Sequence, residues 1–202
     1  KAEGNVSLGV QNGLLKALLD HWGLEAPAVV AHDFGGATAL RAHILDGAAY
    51  GKLVLIDPVA VSPWGSPFFN HVREHEAAFA GVPDFIHEAI VRAYVQTAAH
   101  RPLTEEVLEG ILKPWRGAEG RPAFYRQIAQ ASSWYTDEVQ PRYGGVAPAV
   151  LLLWGAEDTW IPLAKGRELA GLIGDRARLV VVEDAGHLVV EEEPDQLLRE
   201  IR

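Results

Sequence analysis

The stretch Pro27-Ala-Val-Val-Ala-His-Asp-Phe-Gly-Gly-Ala37 decides how this chain folds. Ala28 to Ala31 is a short apolar run that reads as a buried strand, and it ends in polar residues flanked by small ones. A helix is predicted to begin directly afterwards, from Phe34 to Leu45. A strand that becomes a helix within so few residues must bend sharply. Small side chains at Ala31, Gly35 and Gly36 let the two elements approach each other. Such a turn lifts the side chain at its apex, Asp33, above the strand ends, the layout of a nucleophile elbow. The usual occupant of that apex is serine, and an aspartate there redirects the chemistry.

Outward from the elbow, strands and helices alternate. Val6 to Trp22 carries leucines and valines at helical spacing before the first strand. Lys52 to Asp57 is a second short strand, stopped by Pro58. Pro148 to Gly155 is a third, followed by a helix from about Ala164 to Ile173. Ala177 to Glu183 is a fourth, and a last helix starts near Pro194. Nearly continuous apolar strands separated by helices indicate a mostly parallel sheet covered on both faces. Between Val61 and Tyr143 the rhythm breaks. That segment holds no convincing strand, seven prolines and most of the aromatic residues, and it reads as a helical lid over the strand ends or as a helical subdomain with its own aromatic core.

Composition narrows the class without naming it. The 202 residues are 49% hydrophobic, enough for a sizeable core, and no apolar stretch reaches a membrane span. The net charge of −9 argues against binding a nucleic-acid backbone. With no cysteine there is no disulfide or thiolate metal site. No signal peptide is visible, so a cytoplasmic protein is expected. His71 and His75 have helical metal-site spacing, but His71-Val-Arg-Glu-His75 lacks the metalloprotease order, and no metal is expected. Oligomeric state is unreadable.

The order of strands, elbow and helical insert resembles the α/β-hydrolase fold with a cap domain, over nearly the whole chain from Val6 onward. Three motifs carry the resemblance: Ala-His-Asp-Phe-Gly-Gly at 31–36, Leu-Trp-Gly-Ala-Glu-Asp at 153–158 and Asp-Ala-Gly-His-Leu at 184–188. Each follows a strand, and their order matches the family's nucleophile, acid, histidine. The resemblance implies a core of residues 1–60 and 144–202 with a cap at 61–143. It implies a catalytic triad of Asp33, Asp158 and His187, with the backbone N–H of Phe34 in the oxyanion hole. Such enzymes normally carry several more strands and a His-Gly-type loop upstream. The chain opens on Lys1 without those elements, so it is expected to correspond to the C-terminal two thirds of such an enzyme.

Each residue has a plainer reading beside the catalytic one. Asp33 could serve only as a helix N-cap, and His187 could be a solvated loop residue. Asp57 rivals Asp158 as the triad acid, because some relatives take the acid from that earlier strand. His32 reads as support for the elbow, and Glu157 as solvated.

An aspartate at the apex changes what can be attacked. It is ionised at neutral pH without help from histidine. Attack on an ester carbonyl would give a mixed anhydride, whereas attack on an sp3 carbon bearing a leaving group gives a stable alkyl ester. His187, oriented by Asp158, then deprotonates a water that hydrolyses that ester. The logic selects the epoxide hydrolases and dehalogenases that the chain resembles, and it needs no organic cofactor. A halide needs N–H donors, and haloalkane dehalogenases usually place tryptophan where this chain has Phe34. Fluoroacetate dehalogenases place arginine there. An epoxide needs an acid on its oxygen, supplied in epoxide hydrolases by cap tyrosines. Phe124-Tyr-Arg126 is similar to such a cap segment, which makes Tyr125 the first candidate for that acid and Tyr94 the second, with Tyr135 in reserve. The expected substrate is a small apolar organic molecule, together with water. A haloalkane or haloacid dehalogenase is the alternative, and a non-catalytic ligand-binding or sensor protein on the same scaffold is the alternative of another class.

Overall fold

Four strands lie side by side in the order they occur in the chain, all parallel, in a computed structural model that describes residues 4–202. The first three residues of the expected core lie outside the described residues. The strands are β1 (Ala28–His32), β2 (Lys52–Ile56), β3 (Ala149–Gly155) and β4 (Ala177–Val182). The register is unbroken, with Val30 opposite Val54 and Val54 opposite Leu151, so the C-terminal ends of the strands share one rim.

Both faces of the central strands are covered, which explains their lack of polar alternation. Leu53, Leu55, Val150, Leu152 and Trp154 pack on one face against α2 (Phe34–Asp46) and α9 (Leu163–Ile173). Val54, Ile56, Leu151, Leu153 and Val182 pack on the other face with Val189 of α10 (Val189–Glu192) and Leu197 of α11 (Pro194–Ile201). Each such fully buried Leu, Ile or Val contributes about 1.5–3 kcal/mol. β1 departs from the expected buried strand. It pairs only with β2, and Val30 remains 52% exposed, because one face of this edge strand carries no helix among the described residues.

α1 (Leu8–His21) packs on α2. The almost fully buried Arg41 fixes that packing by donating to Asn12 Oδ1 of α1, to the carbonyl of Tyr135 and to Glu138. α2 stops at Gly47, whose φ of 71° a residue with a side chain rarely adopts.

Between β2 and β3 come only helices: α3 (Pro67–Glu74), α4 (Glu76–Ala80), α5 (Asp84–Gln96), α6 (Glu105–Leu112), a 3-10 turn at Lys113–Trp115, α7 (Gly117–Ala129), α8 (Trp134–Asp137) and a second 3-10 segment at Gln140–Gly145. Ser66 caps α3 by accepting from the N–H of Phe69, with Pro67 in the first turn. The insert has its own core of Phe69, Val72, Val91, Leu108, Phe124, Tyr125 and Ile128, so most of its aromatics pack internally. Phe34 and Trp64 pack against both this core and that of the sheet, which puts the elbow at their junction. No described helix is long and apolar enough to cross a membrane.

Candidate active site

Three non-glycine residues have positive φ among the described residues, and all are aspartates just beyond strand ends: Asp33 (51°), Asp57 (38°) and Asp184 (57°). Such conformations store strain of about 1–3 kcal/mol each and tend to cluster at functional sites. At the elbow, strand and helix are too close for a larger residue than glycine at position 36. A Cβ there would lie 2.4 Å from Cβ of Pro58. The Asp33 side chain makes no capping hydrogen bond to α2, which removes the plain N-cap reading.

The three separated motifs converge. Nδ1 of the buried His187 donates to Oδ2 of Asp158 at 2.8 Å, and its Nε2 lies 3.5 Å from Oδ1 of Asp33. Asp158 is itself held by the backbone N–H groups of Trp160 and Ile161, at 2.7 and 2.8 Å from Oδ1. Burial alone would lower the His187 pKa, but Asp158 and Asp33 outweigh it and push it up to about 10. Burial works to raise the Asp33 carboxyl, yet the imidazole of His187, helped by His32 and the N–H of Phe34, holds it below its usual value. The N–H of Phe34 thus faces the Asp33 carboxylate.

The neighbouring candidates take other places. Asp57 accepts from the N–H of Gly155 at 3.0 Å through Oδ1, and its buried Oδ2 has no hydrogen-bond partner. Burial and the adjacent charge of Asp158 raise its pKa well above the usual carboxylate range. Asp158, not Asp57, is therefore the carboxylate on His187. His32 donates from Nε2 to the carbonyl of His187 at 2.8 Å, bracing the histidine loop, and burial keeps its pKa low. Glu157 is exposed, as are His71 and His75.

The two tyrosines exchange rank. Tyr125 is fully buried in the core of the insert. His87 Nε2 donates to the carbonyl of Trp115 at 2.9 Å, which leaves Nδ1 as an acceptor for the Tyr125 hydroxyl, also at 2.9 Å. The Tyr125 proton is thereby committed inside the insert, which corrects the expectation from the Phe-Tyr-Arg segment. Tyr94 instead lines the same cavity as Asp33. Burial raises its pKa, and the charge of Asp33 adds to the rise, so its hydroxyl stays protonated. Tyr135 packs under the guanidinium of Arg41, 4.9 Å from its ring centre.

Two residues at the site had no signal in the sequence. Trp160 reads as an ordinary loop aromatic, yet its ring stacks on His187. Glu192 sits in an acidic run, Glu191-Glu-Glu193, that reads as solvated. Its carboxylate instead accepts from the backbone N–H groups of Gly186, His100 and Arg101, tying the histidine loop to the end of α5.

Above Asp33 opens a cavity of about 830 Å³ between sheet and insert. Its walls include Leu15, Val29, Phe34, Phe69, Val95, Phe124, Ile128 and Trp160, with His32, Thr38 and Gln127 among the polar members. No Lys or Arg is among the described residues that line it. No cluster of three or more His, Asp or Glu able to hold a metal ion occurs among the described residues.

A parallel sheet, a strained elbow and an ordered acid–histidine pair define an α/β-hydrolase, and the alpha/beta hydrolase family matches residues 7–200: the chain belongs to that family. An α/β-hydrolase fold protein from Burkholderia ambifaria superposes with a TM-score of 0.95 at 47% identity, covering 98% of this chain and 73% of that one. A 2-hydroxy-6-oxo-6-phenylhexa-2,4-dienoate hydrolase from Comamonas testosteroni is 28% identical over 96% of this chain and 69% of its own length. Esterase YbfF from Escherichia coli (strain K12) is 28% identical over 91% of this chain and 69% of its own.

Proposed function

We propose that this hydrolase opens small, neutral, apolar epoxides through a covalent ester on Asp33. The observation that carries the reading is a carboxylate at the elbow apex within 3.5 Å of an imidazole that Asp158 holds from behind. A carboxylate Oδ displaces a C–O bond of the strained ring, and Tyr94 gives its proton to the departing oxygen. Once the ester has formed, His187 yields its resting proton to the Tyr94 phenolate. It then takes a proton from water, and the resulting hydroxide attacks the ester carbonyl while the N–H of Phe34 stabilises the oxyanion. The alkoxide leaves with the proton from His187, and the carboxyl proton of Asp33 passes to His187, which restores the resting ion pair. The sum is epoxide plus water giving a diol.

The electrostatics support this sequence of events. With both carboxylates charged, His187 rests as an imidazolium. Esterification of Asp33 removes one of those charges, so the His187 pKa falls at the step where a neutral base is needed. A cavity lined by the Asp33 anion and no described cation disfavours carboxylate substrates. That sets the reading apart from the dienoate of the Comamonas relative's name. A halide leaving group is the second reading, because Trp115 lines the cavity. The indole N–H groups of Trp64 and Trp160 weigh against it, since they are held by Thr136 and Thr97.

Single turnover in heavy-oxygen water with a panel of apolar epoxides and haloalkanes tests the proposal. Label in Asp33 together with a diol supports it, and label with halide release moves the assignment to dehalogenation. Tight ligand binding without label in Asp33 would sink the covalent route and favour a binding protein.

A further inference from the structure

We infer that Trp160 is a positioning residue that ties the charge state of His187 to the docking of the helical insert. Trp160 touches His187, Asp158 and the insert. Its ring stacks on His187 with centroids 5.3 Å apart and planes 29° apart. It also stacks on Tyr94 of α5, at 4.3 Å and 18°. Its indole N–H donates to Oγ1 of Thr97, just beyond α5, at 3.0 Å, and its backbone N–H donates to Asp158 at 2.7 Å.

The physical consequence follows from the charge distribution of the indole. An aromatic face is electron-rich and attracts a cation more than a neutral ring, most strongly for tryptophan. The stack therefore favours the imidazolium over the imidazole, and it strengthens as His187 takes a proton from water. Tyr94 and Thr97 hold the indole in place from the insert, so a loosened insert would release the stack. The titratable groups that face His187 are Asp33, Asp158, Asp57 and His32. None of them is altered by substitution at Trp160, which isolates the contribution of the indole face.

The test is an NMR titration of the His187 imidazole in substrate-free protein, comparing the wild type with Trp160→Phe and Trp160→Leu. The midpoint is expected to fall in that order, by about one unit for leucine. Coincident midpoints in folded variants would overturn the inference. Should Trp160→Leu fail to fold, Trp160→Phe decides alone by a lowered or unchanged midpoint. A kinetic arm rests on the hydrolase reading: because Trp160 also stacks on Tyr94, Trp160→Leu slows both steps, and ester hydrolysis should fall about tenfold further than formation of the Asp33 ester. Equal slowing of both steps would reduce Trp160 to packing. Because the titration uses no substrate, it succeeds or fails whatever becomes of the epoxide assignment.

Discussion

The hydroxyl of Tyr125 donates to Nδ1 of His87 at 2.9 Å, deep in the core of the insert, whereas Tyr94 lines the cavity that holds Asp33. Tyr125→Phe should keep turnover within a few-fold while losing about 1–3 kcal/mol of stability, because a buried imidazole nitrogen is left unpaired. Tyr94→Phe should do the reverse, lowering epoxide turnover about 10²-fold or more with little change in the denaturation midpoint. Paired turnover and urea-denaturation measurements read both outcomes.

Asp57 should be replaceable by its amide. Its raised pKa means that the folded protein binds a proton at Asp57 that the unfolded chain gives up above the ordinary value of 3.8. Folding stability tied to this group is therefore full at acid pH and declines as pH rises. Asp57→Asn keeps an acceptor for Gly155 and carries no ionisation penalty. The variant should be more stable than the wild type at neutral pH, with the gap closing as pH falls toward 3.8. Urea melts across that range check the sign, and a variant less stable at neutral pH would contradict it.

His187 makes the opposite linkage. Its folded pKa of about 10 lies above the ordinary 6.5, so its contribution to stability is full below 6.5 and is lost as pH rises through about 10. His187→Gln should thus destabilise the protein more in mildly acid than in strongly alkaline solution. In single turnover the same variant should accumulate the Asp33 ester, visible as a mass increase equal to the substrate. Rapid ester breakdown without the histidine would count against its role as base.

Gly155 is expected to be a sensitive position outside the proposed triad. A Cβ there would stand 2.2 Å from the carbonyl oxygen of Gly186, in the histidine loop. Gly155→Ala must push that loop away and His187 with it. An activity loss of about 10²-fold is expected, since a displacement near 1 Å at a reacting group has effects of that size. The accompanying stability loss should be about 1–3 kcal/mol by the usual cost of overpacking. A variant with wild-type kinetics would show that the loop tolerates the shift.

The elements that carry the site were legible in the residue pattern for simple reasons. Apolar runs of strand length end at residues 33, 57, 158 and 184, or just before them, and a parallel sheet brings such ends to one rim. Alternation did not separate edge from centre, and β1 reads as buried although Val30 is 52% exposed. Side-chain pairings within the insert were illegible as well. Whether Tyr94 or Tyr125 faces the cavity depends on how α5 and α7 rotate against their neighbours, and no local spacing encodes that.

By itself the sequence determined that an aspartate occupies the apex of a strand–helix turn, with an acid and a histidine downstream in the order the family uses. Local chain chemistry is enough for that, because small residues, apolar runs and turn residues act on their immediate neighbours. Only the tertiary structure decided that Asp158 rather than Asp57 holds His187, that Trp160 and Glu192 brace the histidine, and that Tyr125 is spent on His87. Those outcomes depend on contacts between residues from 6 to 98 positions apart, set by how the layers pack.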